Sequence, residues 1–181
     1  VSKALDAVEQ ALARKGVLAF DPSRDVAERD QAVAATVEAS LELLASAERQ
    51  RYAELAIFPQ DVPIPLARAA ELWQLTAGLD AYETQDLITT RLDPLSLLDY
   101  DGDGGMIRLH DVLRSYLAAK LGDRASLHLR LTDHWGDRPA RGDGYAWRWL
   151  AFHRAQAAMT SAQPQRHALT ESLVALVTDA D

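Results

Sequence analysis

The chain has 181 residues, 48% of them apolar, a formal net charge of −8 and no cysteine. That length and apolar content suffice for one ordinary domain or two small ones with real cores, and the acidic balance argues against broad binding to a phosphate backbone, though not against a local basic patch. Without cysteine there are no disulfides, thiol nucleophiles or Cys-type zinc sites; with no apolar run near the ~20 residues of a membrane span and no signal-peptide core, a soluble cytoplasmic protein is expected.

In chain order, Ala4, Leu5, Val8 and Leu12 mark one face of a first helix, with Gly16 placed to end it. Val17 to Ser23 read as an apolar connector and turn. A longer helix then carries Val26, Val33, Val37, Leu41 and Leu44 inward, leaving Glu28, Arg29, Asp30 and Glu38 for solvent. These helices hold too little apolar surface for a domain of their own. Residues 1–44 therefore read as the C-terminal part of a helical domain, and a chain that starts and stops inside helical patterns reads as a fragment of something larger.

From residue 45 the pattern tightens. Glu48 to Phe58 predicts a helix burying Tyr52, Leu55, Ala56 and Phe58, which Pro59 stops. Asp61 to Pro65 is an extended connector, because a residue before proline is pushed out of the α region. A helix follows over Leu66 to Leu75, with Leu66, Ala69, Ala70, Leu72 and Trp73 on its apolar face. After Gly78 another runs from Tyr82 to Leu92, with Leu87, Ile88 and Leu92 inward. Leu97 to Tyr100, the turn Asp101 to Gly105 and Met106 to Leu109 predict a β-hairpin. The chain then enters a helix on which Val112, Leu113, Tyr116, Leu117 and Leu121 repeat at helical spacing. Three helices followed by a two-stranded wing give a winged-helix domain over 45–122. The expected fold class is mainly α: that domain with its small β-hairpin wing, flanked by helical-bundle segments.

After Gly122-Asp123 the pattern is helical again, and 123–181 reads as the start of a second helical domain. Leu127, Leu129, Leu131 and Trp135 share a segment that Gly136 to Pro139 interrupts. The most aromatic stretch is Tyr145 to His153, and Pro164 opens a last helix with Leu169, Leu173, Leu176 and Val177 inside.

Several chemistries are weak on residue type alone. A P-loop needs Gly-Lys followed by Ser or Thr so that lysine reaches the β- and γ-phosphates; the lysines are Lys3, Lys15 and Lys120, and none follows glycine. Asp99, Asp101, Asp103 and Gly104 resemble the start of a calcium loop, yet His110 stands where such a loop places its bidentate glutamate. An acidic hairpin turn is the plainer reading. No His-Glu-x-x-His run or Ser/His/Asp constellation is present. His128, His134 and His167 read as solvated helix residues, and His153 as packed against the aromatic core. Between Ala81 and Ser96, where a winged helix would meet DNA, Glu83, Asp86 and Asp93 outweigh Arg91. Carboxylates there repel phosphate, so direct DNA binding is disfavoured, although a winged-helix transcription regulator is the rival reading.

His110 is the residue of interest. It sits where a strand becomes a helix, near unpaired N–H groups and the positive end of a helix dipole, a place that suits an anion.

Arg51 to Pro59, Asp61 to Pro65, Leu72-Trp73, the Leu97-Leu98 wing and Arg108-Leu109-His110-Asp111 together resemble the winged-helix domain of the STAND, or NB-ARC, signalling nucleotidases, in particular those like apoptotic protease-activating factor. Asp143 to His153 looks like the tyrosine-tryptophan and leucine-alanine-tyrosine-histidine stretch of that family's second helical domain. Asp30 to Leu44 looks like the last helix of its first helical domain. The resemblance implies a regulatory segment that is not itself an enzyme and has no cofactor of its own. The missing upstream nucleotide-binding domain would hold ADP or ATP with Mg, and the winged helix would close over ADP with His110 reaching the β-phosphate. Asp111 is expected to cap the helix and orient the imidazole. Exchange for ATP would free the winged helix for self-association, with sensor repeats downstream and neither membrane nor DNA as partner.

Overall fold

The structure, a computed structural model, describes residues 37–160 together with Thr170, Glu171 and Val174. The helices expected before residue 37, the one opened by Pro164 and His167 lie outside the described residues, apart from these last three positions, which are helical.

Segment 37–42 is helical, and Val37, Leu41 and the following Leu44 enter the core as their spacing requires. Helix α1 (Ser46–Glu54) opens where the Glu48 carboxylate accepts the N–H of Ala45 at 2.7 Å, and it tightens into a 3-10 turn at Leu55–Ile57 before Pro59. Tyr52, Leu55, Ala56 and Phe58 are all buried. So are Arg51 and Glu54, paired at 2.5 Å, with the second Glu54 oxygen accepting the Thr76 hydroxyl at 2.8 Å. Burial raises the Glu54 carboxyl above its ordinary value despite the adjacent guanidinium and hydroxyl.

The proline-rich connector does more than link helices. Ile64–Pro65 forms strand β1, so the sheet has three strands where two were expected. Proline is tolerated because β1 lies at the edge of an antiparallel sheet ordered β1-β3-β2, with Ile64 opposite Ile107 and Pro65 opposite Met106. Helix α2 (Leu66–Ala77) buries Ala69, Leu72 and Trp73 and ends at Gly78, whose N–H bonds the Gln74 carbonyl and whose φ of 74° turns the Leu79 N–H back to the Trp73 carbonyl. Helix α3 (Ala81–Leu87) has a reciprocal cap: Asp80 accepts the Glu83 N–H and Glu83 accepts the Asp80 N–H. It continues as a π-helical turn, Ile88–Leu92.

Strands β2 (Asp99–Asp101) and β3 (Met106–Arg108) make the wing, with Tyr100 opposite Ile107 and Asp99 opposite Arg108. Helix α4 (Asp111–Lys120) packs Leu113 and Leu117 inward, but Val112 is 51% exposed and lies off the apolar face assigned to it. The order α1-β1-α2-α3-β2-β3 is that of a winged helix. Helices α5 (Arg124–Trp135) and α6 (Gly144–Thr160) come next, and the molecule is mainly helical.

The core runs on through residue 123 without a break. Phe58 stands edge-on to Tyr145 and His153 of α6, the Trp135 indole N–H donates to Glu71 at 2.9 Å, and Arg68 pairs with Asp143 at 3.0 Å. A turn between helices, not a gap in packing, separates the winged helix from α5 and α6. No helix among the described residues is long and apolar enough to cross a membrane.

Candidate functional site

Strand β3 ends at Arg108 and α4 begins at Asp111, which leaves His110 as the residue before the first helical turn. Its backbone is extended and its side chain makes no capping hydrogen bond. The ring is 62% exposed, and Nε2 lies 3.3 Å from Oδ2 of Asp99 on β2. The hairpin register explains the contact: Asp99 opposes Arg108, which brings the carboxylate beside the residues leaving β3.

Asp111 is placed differently from expectation. A capping side chain comes from the residue preceding the first helical one, and that place is taken by His110. Asp111 lies within the first turn, where its Oδ1 accepts the N–H of Val112 at 2.7 Å and its charge complements the positive helix end. The carboxylate that faces the imidazole is Asp99.

His110, Asp99, Arg108 and Asp111 line an open recess of about 510 Å³ together with Asp61, Val62 and Pro63. Asp61 adopts a left-handed φ of 56°, a conformation aspartate tolerates better than most residues. Three carboxylates surround one guanidinium here, a field that opposes a free anion. A larger recess of about 610 Å³ between α1, α4 and α5 has much of its charge already engaged: Lys120 with Glu38, Glu54 with Arg51, and Arg130 with the Leu75 carbonyl.

The wing carboxylates have a structural use. Asp101 Oδ1 accepts the N–H groups of Asp103 and Gly104, each at 3.1 Å, which fixes the turn. Among the described residues no group of three or more side chains converges as metal ligands. On α3, Glu83 and Asp86 are exposed and Tyr82 is 79% exposed, while Arg91, in the π turn, bonds Glu48 and the Leu43 carbonyl. The cation in that stretch is committed to holding α3 against the start of α1.

Of the remaining histidines, His134 is exposed and His153 is buried, as their settings suggest. His128 is not solvated: it is 3% exposed and faces His153, because position 128 shares the inner side of α5 with Leu131, Thr132 and Trp135. The i, i+3, i+4 and i+7 spacing carried that signal, but a polar residue type masked it. Neither a protein-family model nor a curated protein matches the chain.

Proposed function

We propose that this chain is a regulatory, non-catalytic segment of a STAND-type signalling nucleotidase, in which the winged helix closes over ADP held by an upstream nucleotide-binding domain. The observation that carries the reading is His110: an exposed imidazole at the strand-to-helix junction, free of any capping duty and open to a partner surface. The motif resemblance around Arg108 to Asp111 supports it, as does the winged-helix topology. An imidazole N–H there donates to a β-phosphate oxygen, and the start of α4 adds a favourable dipole for that anion. ADP or ATP with Mg, when bound in the upstream domain, supplies the switch; this chain supplies the latch. Exchange for ATP releases the winged helix, the opened molecules self-associate, and sensor repeats downstream respond to the signal, all in the cytoplasm.

The test is His110→Ala in protein that includes the nucleotide-binding domain. Losing a hydrogen bond to a charged group, worth about 1.5 to 3 kcal/mol, speeds ADP release by about ten- to a hundredfold. Unchanged release removes His110 from the site. Sharply salt-dependent binding of duplex DNA at physiological salt would instead favour a winged-helix transcription regulator, against the acidic face of α3.

A further inference from the structure

Helices α5 and α6 meet through two buried imidazoles that the nucleotide reading does not use. His128 and His153 are 3% and 0% exposed, and their Nδ1 atoms lie 2.8 Å apart. So short a contact needs one ring to donate Nδ1–H and the other to accept on a bare Nδ1. Two neutral rings satisfy it; two protonated rings cannot. The rings of Phe58, Trp135 and Phe152 stand edge-on to His153, whose Nε2 has no hydrogen-bond partner. The charged groups facing the pair are cationic: Arg124 on α5 and Arg114 on α4, the latter donating to the Phe58 carbonyl at 2.8 Å. From α6 the nearby titratable and charged groups are Tyr145 and the buried Arg154, the latter paired with Asp137, and from α2 Glu71 and Arg68 are engaged at Trp135. Among the described residues no carboxylate pairs with either imidazole.

We propose that the His128–His153 contact is a proton-operated clasp, which holds α6 on α5 and Phe58 while both rings are neutral and releases it when both take up protons. A first proton can be shared along the Nδ1–Nδ1 line, but it leaves an uncompensated charge among aromatic rings. A second sets two N–H donors against each other, and the contact has no attractive arrangement left. Burial, reinforced by the arginines, lowers the proton affinity of His128 to about 4, and burial together with His128 lowers that of His153 well below the ordinary value. Release exposes the aromatic inner face of α6, so acid would uncover a surface that the neutral molecule keeps closed.

The experiment tracks the imidazole nitrogens of the whole chain, labelled with ¹⁵N-histidine, from pH 8 to 3.5, alongside amide protection in α6. His128 and His153 are expected to keep neutral-ring signals down to about pH 5 and then to protonate together as α6 loses protection. In His128→Gln the amide bonds His153 without titrating, and the opening midpoint falls by about one pH unit or more. Opening of α6 at the same pH in that variant overturns the proposal. So does independent protonation of either ring near pH 6.5 with α6 still protected. Should the variant fail to fold at neutral pH, the titration of the unaltered chain decides between these outcomes by itself.

Discussion

Arg51 and Glu54 show how little a charged residue type says about burial. They sit on the helix whose apolar members Tyr52, Leu55 and Phe58 were legible from spacing, but nothing in a local pattern marks an arginine and a glutamate as internal. Their partners come from elsewhere in the fold: Thr76 bonds Glu54, and the Trp73 indole donates to the Arg51 carbonyl at 2.9 Å. The folded chain holds the Glu54 proton to higher pH than the unfolded chain, so ionising this carboxylate costs stability as pH rises through that window. The pair is therefore no large net source of stability, yet breaking it is expensive. Arg51→Met, which strands the carboxylate, is expected to cost about 3 to 5 kcal/mol in urea unfolding. By contrast Asp99 and His110 are both well exposed, and Asp99→Ala should cost less than about 1 kcal/mol by the same measurement. The position of His110 was legible because a strand pattern gives way to a helix pattern there. Its Asp99 neighbour was not, since that contact depends on hairpin register.

At the scale of elements, α1 to α5 were announced by their apolar spacing and stop signals, whereas α6 showed only as the aromatic stretch Tyr145 to His153 and runs on to Thr160; elsewhere the errors arise where two faces compete or a proline misleads. On α4 the spacing admits Val112 beside Leu113, Tyr116 and Leu117; packing against α1 and the 3-10 turn buries Leu113 and Leu117 and half-buries Tyr116, and leaves Val112 outside. Ile64–Pro65 looked like a linker because a residue before proline is pushed out of the α region; that extended backbone also suits a strand, and the sheet edge tolerates a proline that cannot donate to a ladder. Gly78 closes α2 in a left-handed conformation, so Gly78→Ala is expected to destabilise the chain by about 1 kcal/mol, read from the denaturant midpoint. The α5–α6 contact carries a pH signature of its own. An unfolded histidine takes up its proton near 6.5, whereas His128 does so only near 4 in the folded chain, so the unfolded state binds more protons between those values. Stability is complete above this window and declines as pH falls through it, by about 3 kcal/mol for His128 alone. Urea unfolding at a series of pH values should show that slope, and His128→Gln should flatten it.

For the whole molecule, one core joins the winged helix to the helices after residue 123, with Phe58, Trp135, Tyr145 and His153 at the junction. The break at Gly122-Asp123 was visible in the sequence, whereas the aromatic packing across it is a long-range property that no local pattern contains. An acidic α3 face, a committed Arg91 and a recess rich in carboxylates leave the surfaces around α3 and the wing poorly suited to hold an anion unaided. This is why the proposed role for His110 needs a phosphate brought by another domain. The decisive measurement is ADP dissociation from protein that joins this chain to the nucleotide-binding domain proposed to precede it, with and without His110→Ala. Faster release from the variant, by about ten- to a hundredfold, is the predicted result; equal rates would contradict a latch at His110.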